Sequence, residues 1–180
     1  MTQIFAMFRR ILPAFAIPCL ALVLSTVSAQ TPSAGQTKIL APEDLTRVIP
    51  SNVFFRGQTA SVQLRNSYGL RFPDGTMMLT ALVDSSGYSS GIRQKYQGYI
   101  LSEVRLAIEG KTLPAGAYGF GMLSDDNFVV MDIGAHDLLR VPSQTDAGLA
   151  RPRPLAILPG KNPGSYRLYE GRKFVSIKAR

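Results

Sequence analysis

The sequence predicts an all-β protein: an antiparallel sandwich or barrel of about nine short strands, with one or two short helices. Three observations carry this. Apolar and polar residues alternate with a period of two through most of the chain after Asn52. Clusters such as Pro73-Asp74-Gly75 and Ser124-Asp125-Asp126-Asn127 punctuate the alternation at short intervals. The chain passes from strand to strand through tight turns, without the intervening helices that a parallel sheet needs.

Taken in order, "QTPSAGQTK" (30–38) is small and polar and reads as the start of a flexible spacer over 30–41. "APEDLTRVIP" suits one helical turn, because Pro42 and two acids favour a helix start and Pro50 ends it. In "TASVQLR", Ala60, Val62 and Leu64 share one face of a half-buried strand. "YGLRF" and "MMLTALVD" flank Pro-Asp-Gly, a hairpin turn in which proline presets φ, aspartate caps and glycine takes the positive φ. "YILSEVRLAIEG" reads as one alternating strand, with Ile100, Val104, Leu106 and Ile108 on one face. "GKTLPAG" reads as a turn and loop. "AYGFGML" and "FVVMDI" form a second hairpin around "SDDN". "PSQTDAGLARPRP" (142–154) has no period and reads as a long loop or a crossover between sheets. "LAIL", "SYRLYE" and "KFVSIK" are three last strands, with Glu170-Gly171-Arg172 turning the final pair.

The N-terminus reads as an address. Arg9 and Arg10 precede an apolar run of 14 residues, and Val27 and Ala29 fit a cut after Ala29. Residues 1–29 are therefore expected to be a cleaved signal peptide, and the protein to be periplasmic or secreted. The run is short for a membrane span and contains Pro13 and Pro18. Membrane contact is expected only through the signal before cleavage. The remaining 42–180 make a single β-rich domain by length. The one cysteine, Cys19, lies in the signal, so the domain is expected to have no disulfide, no thiol nucleophile and no cysteine-based metal site.

Charge is unevenly placed. Residues 151–180 hold eight basic residues and one acid, Glu170, whereas 30–150 hold ten basic and eleven acidic. Arg167, Arg172, Lys173 and Lys178 are the candidate partner-binding residues of this basic third. For an exported protein the matching partner is an anionic envelope component rather than nucleic acid. The alternative role of strand-edge lysines and arginines is to discourage edge-to-edge association. The glycine face of "AYGFGML", Gly119 and Gly121, marks a close approach by backbone, bulge or ligand. If the sheet closed, its interior would suit a small apolar ligand.

Gly87-Tyr88-Ser89-Ser90-Gly91 spells G-x-S-x-G. A serine hydrolase would use Ser89 with His136, the only histidine, and Asp132. Three features oppose it. Asp84-Ser85-Ser86 separate the strand from the elbow, the fold is not alternating α/β, and no oxyanion segment of the HGGG kind occurs. Ser89 or Ser90 capping a short helix "GIRQKYQ", with Ile92, Tyr96 and Tyr99 inward, explains the stretch better. One histidine and no further cysteine cannot make a usual zinc set. Glu103 and Glu109, six residues apart on a strand, would stand about 20 Å from each other. A glycosidase pair needs roughly 5–9.5 Å. No cofactor or metal is expected.

"IEGKTLPAGAYGFGML" (108–123) resembles a segment of exported bacterial proteins of uncharacterised function with a GK-x-LPAG-x-Y core. Lys111, Leu113, Pro114, Ala115, Gly116 and Tyr118 carry the match. The resemblance implies an all-β exported domain and no reaction. The expectation is a non-enzymatic binding or interaction module. A small serine hydrolase or a purely structural envelope protein is the alternative.

Overall fold

The structure, a computed structural model, describes residues 35–180. The expected signal peptide, with Cys19, lies outside the described residues, as do residues 30–34. With a single cysteine in the sequence, no disulfide can form within the chain. The described chain is all-β. It runs β1 (Lys38–Leu40), α1 (Pro42–Leu45), β2 (Asn52–Phe55), β3 (Gln58–Arg71), β4 (Met77–Val83), α2 (Ser90–Arg93) and β5 (Gly98–Ser102). It continues with β6 (Leu106–Ile108), β7 (Lys111–Leu113), β8 (Gly116–Met122), β9 (Asn127–Met131) and β10 (Asp137–Pro142). It ends with β11 (Gln144–Thr145), β12 (Arg153–Pro159), β13 (Ser165–Gly171) and β14 (Lys173–Ala179).

The strands form two antiparallel sheets. The first has eight strands in the order β1-β3-β4-β5-β8-β9-β10, with β2 also paired to β3. The second has six, in the order β12-β13-β14-β6-β7, with β11 paired to β14. Neither sheet closes on itself, so the sandwich is the form adopted and the barrel is not. The inner faces meet in one core: Leu70, Ile100, Phe120 and Phe128 from the first sheet pack with Leu106, Ile157, Leu168 and Val175 from the second. Each such side chain contributes roughly 1.5–3 kcal/mol on burial.

The first sheet is also covered on its outer face. On β4, Met78 points to the inter-sheet core while Leu79, Ala81 and Val83 point away and are buried too. That is why "MMLTALV" reads as a continuous apolar run. Phe55, Tyr88 and Tyr96 cover one part of this outer face, and Leu45 of α1 covers another.

Several expectations stand. The hairpin at Pro73-Asp74-Gly75 closes as foreseen: the Phe72 N–H donates to the Thr76 carbonyl at 2.8 Å and Asp74 Oδ1 accepts from the Thr76 N–H at 3.0 Å. Gly75 takes φ +88°. β8 and β9 pair around "SDDN", and β12 to β14 follow the three last runs. The 142–154 segment crosses from the first sheet to the second, adding the two-residue β11 on the way.

Others need correction. Fourteen strands replace about nine among the described residues. The spacer 30–41 ends in β1, whose Leu40 is buried and whose residues pair with β3. "GKTLPAG" contains β7. "YILSEVRLAIEG" is two strands: β5 ends at Ser102 in the first sheet and β6 begins at Leu106 in the second. The alternation survives the break because both halves point their apolar residues at the same core. Glu103 and Glu109 therefore do not share a strand. Each carboxylate instead accepts a backbone N–H, from Met77 at 2.7 Å and Ser176 at 2.6 Å. The face proposed for Ala60, Val62 and Leu64 fails at Leu64, which is exposed. The β3–β4 register shifts between Val62 and Ser67, and a bulge re-aims the strand.

Candidate functional site

At one end of the sandwich the inward rows of side chains stop being apolar. On β13, Leu168 faces the core, Tyr169 faces out, and Glu170 returns inward, because successive residues of a strand alternate. On β14 the same alternation places Lys173 on the side of Val175. From the opposite sheet, Leu82 on β4 and Met122 on β8 hold the corresponding inward positions. Between these ends lies an open cleft of about 1070 Å³. Small-molecule sites are commonly of this order.

The cleft is built by both sheets. Leu82, Met122, Leu123 and Pro154 supply apolar wall, and Lys95, Asp125, Arg140, Glu170, Arg172 and Lys173 supply charge. Gln97 holds the Met122 backbone at both ends: its Nε2 donates to the Met122 carbonyl at 3.2 Å and its Oε1 accepts from the Met122 N–H at 2.7 Å. Most of the charges are paired. Lys95 Nζ reaches both Asp137 oxygens at 2.9 Å. Arg140 Nη1 lies 3.5 Å from Asp125 Oδ2. Lys173 Nζ lies 2.9 Å from Asp126 Oδ1 and donates to the Leu123 carbonyl at 2.7 Å.

Two groups differ. Arg172 Nη1 donates to the neutral carbonyl of Leu149, and no carboxylate lies within ion-pair distance of its guanidinium among the described residues. Glu170 Oε2 is buried and has no hydrogen-bond partner among the described residues. Burial pushes the Glu170 carboxyl up to about 7, against the smaller pull of the Met122 backbone N–H and of Lys173. At neutral pH this carboxyl is divided between a neutral donor and a charged acceptor.

Of the four basic candidates, Arg172 and Lys173 line this cleft. Arg167 is on the outer face of the second sheet. Its guanidinium sits 4.4 Å from the Phe174 ring centroid and donates to Tyr169 Oη at 3.1 Å, and its Nη1 lies 3.4 Å from Asp146 Oδ2. Tyr169 Oη in turn donates to Asp146 at 2.8 Å. Arg167 thus ties β13 to the crossover segment. Lys178 is exposed near the far end of β14, away from the cleft. Glu170 itself was readable only as a turn residue. The signal that could have found it is the alternation Tyr166, Leu168, Glu170 in the one acid of a basic third.

Asp132 and His136 pair, but neither is hydrogen-bonded to Ser89 among the described residues. His136 Nδ1 lies 3.0 Å from Asp132 Oδ2, but the His136 side chain is 81% exposed. Asp132 Oδ1 also accepts the backbone N–H of Gly134 at 2.8 Å and of His136 at 2.9 Å, so the pair caps the β9–β10 turn. Those bonds, the His136 N–H first, hold the Asp132 carboxyl below its usual range. No hydrogen bond joins Ser89 to His136 among the described residues. Ser89 stands at the start of α2, which has one turn, and its hydroxyl caps nothing. Tyr96 and Tyr99 are buried, in the outer-face cluster of the first sheet, and lie beyond that helix. Ser89→Ala and His136→Ala should each leave p-nitrophenyl butyrate turnover unchanged. A loss of about 100-fold in both would restore the hydrolase.

The glycine face has its own occupant. A Cβ on Gly119 would meet Phe55 Cε2 at 2.5 Å, and one on Gly121 would meet the Lys95 carbonyl oxygen at 2.3 Å. The close approach is made by this chain's own aromatic rings and backbone. Among the described residues no group of three His, Cys, Asp or Glu could hold a metal ion.

No family model, curated protein or solved structure matches the chain. The fold and the cleft define the class: a two-sheet, all-β protein with an open cleft between the sheets at one end.

Proposed function

We propose that the protein is an exported, non-enzymatic binding module of the bacterial envelope or extracellular space, and that the inter-sheet cleft is its ligand site. One observation carries the reading: a cleft of ligand size, walled by both sheets, contains a buried carboxyl oxygen with no partner among the described residues. Buried polar atoms are ordinarily paired, and an unpaired one in an accessible cleft suits a ligand group. The N-terminal residues 1–29 support export, and the resemblance of 108–123 to exported bacterial proteins agrees with it.

The test is a methyl-resonance fragment screen. Fragments of 150–300 Da, as a rough range for such a pocket, should shift Leu82, Met122 and Leu123 methyls saturably and leave Val48 and Leu64 methyls in place. A screen in which no fragment moves the cleft methyls would favour a purely structural role.

A further inference from the structure

We propose that the cleft takes an organic anion with an apolar body, and that its capture is coupled to a proton on Glu170. This rests on the reading of the cleft as the ligand site.

The argument starts from the local charge balance. The groups that line or pair at the cleft are Lys95, Arg140, Arg172 and Lys173 on the positive side, and Asp125, Asp126 and Asp137 on the negative side, with Glu170 among them. With Glu170 protonated, one positive charge is in excess. With Glu170 ionised, none is. The excess resides on Arg172, which alone of these four cations pairs with no carboxylate among the described residues. A guanidinium in that state presents donors suited to a carboxylate, sulfonate or phosphate group.

Arg172 stands two residues after Glu170, across the β13–β14 turn. An anion entering the cleft that both residues line meets a like charge when Glu170 is ionised and none when it is protonated. The wall formed by Leu82, Met122, Leu123 and Pro154 accepts an apolar body behind that head group. The occupant is a free small amphiphilic anion, since the cleft has the dimensions of a small-molecule site rather than of a flat bilayer contact.

The burial of Glu170 places the transition near pH 7. If only the protonated form binds, apparent affinity follows the protonated fraction and falls about tenfold from pH 6 to pH 8. Binding then draws about half a proton from solution at pH 7.

The test uses octane-1-sulfonate, which stays anionic throughout this range, titrated calorimetrically into the purified protein. The expected result has three parts. Affinity is about tenfold weaker at pH 8 than at pH 6. Heats measured at pH 7 in buffers of different ionisation enthalpy report an uptake of about half a proton. Glu170→Gln binds alike at both pH values, which separates Glu170 from His136, a residue outside the cleft. Arg172→Gln should weaken binding tenfold or more, by loss of a charged hydrogen bond. Should that variant not fold, the proton uptake of the unmodified protein still decides.

Binding without pH dependence, or a pH dependence that persists in Glu170→Gln, overturns the proton-linked anion site. Neutral octyl glucoside then distinguishes the two levels. If it shifts the Leu82, Met122 and Leu123 methyls, the cleft remains a ligand site of other chemistry. If neither probe shifts them, the cleft reading falls as well. Association with phosphatidylglycerol vesicles without octane-1-sulfonate binding overturns the small-ligand form.

Discussion

Phe55→Ala is expected to destabilise the fold by about 4 kcal/mol, the range for emptying a buried phenylalanine site. For a domain of this size the melting temperature should fall by on the order of 10 °C. Phe55 is 2% exposed although it lies on the outer face of the first sheet. Its ring stacks on Tyr96 at 3.8 Å and 11°, and meets Tyr88 edge-on at 6.1 Å. Its carbonyl accepts the Tyr88 hydroxyl at 2.9 Å. These rings are the cover that makes β4, β5, β8 and β9 buried on both faces. The site has little means of collapse, because the sheet beneath is a rigid backbone surface at Gly119. A Cβ there would lie 2.5 Å from Phe55 Cε2 and 3.0 Å from Tyr96 Cδ2. Gly119→Ala should therefore cost about 2 kcal/mol in the parent, as overpacking does. It should cost much less in a Phe55→Ala background, where the methyl enters the space left by the ring. Urea unfolding of the four proteins measures this coupling. Additive losses, or a loss below 1 kcal/mol for Phe55→Ala, would show that the cluster is not a second core.

The sequence alone made the fold class legible because β alternation and turn chemistry are local. Pro73-Asp74-Gly75 has one plausible geometry, and it is the one observed. The same locality explains what was missed. Nothing in "YILSEVRLAIEG" says that the chain changes sheets at 103–105, since Ile100 and Ile108 reach one core from opposite sides. Nothing near Gly119 announces that the ring covering it is Phe55, sixty-four positions earlier in the sequence. The bulge in β3 is set by pairing with β4, so the exposure of Leu64 is a property of the pair and not of the heptapeptide.

The cleft illustrates the same limit for function. Clustering of positive charge after residue 150 was visible, but its meaning depended on partners distant in sequence. Arg167 proved tied to Asp146, Tyr169 and Phe174, and Lys173 to Asp126 and Leu123. Net charge counted such residues as free. Only the fold separates Arg172 from them, and only the fold brings Glu170 against the opposite sheet.

Glu170→Gln is expected to stabilise the protein at pH 8 and to change little at pH 4. In the folded protein burial holds the Glu170 carboxyl up at about 7, against an ordinary value of 4.5. Below pH 4.5 the folded and unfolded chains both carry the proton, and the group contributes no pH dependence. Between 4.5 and 7 the unfolded chain releases its proton while the folded chain retains it. Stability then falls by about 1.4 kcal/mol for each pH unit. Above pH 7 both states are ionised and the accumulated penalty, roughly 3 kcal/mol, stays constant. Glutamine removes the charge at every pH. Its amide brings N–H groups of its own into the same site, so the net gain at pH 8 is expected nearer 2 kcal/mol. Titrations of groups remote from Glu170 are common to both proteins and cancel in the difference. Chemical unfolding at pH 4, 6 and 8 gives that difference directly. A gain that does not grow between pH 4 and pH 8 would mean that Glu170 is solvated in the folded protein. The cleft would then hold an ordinary surface carboxylate, with no proton to exchange for a ligand.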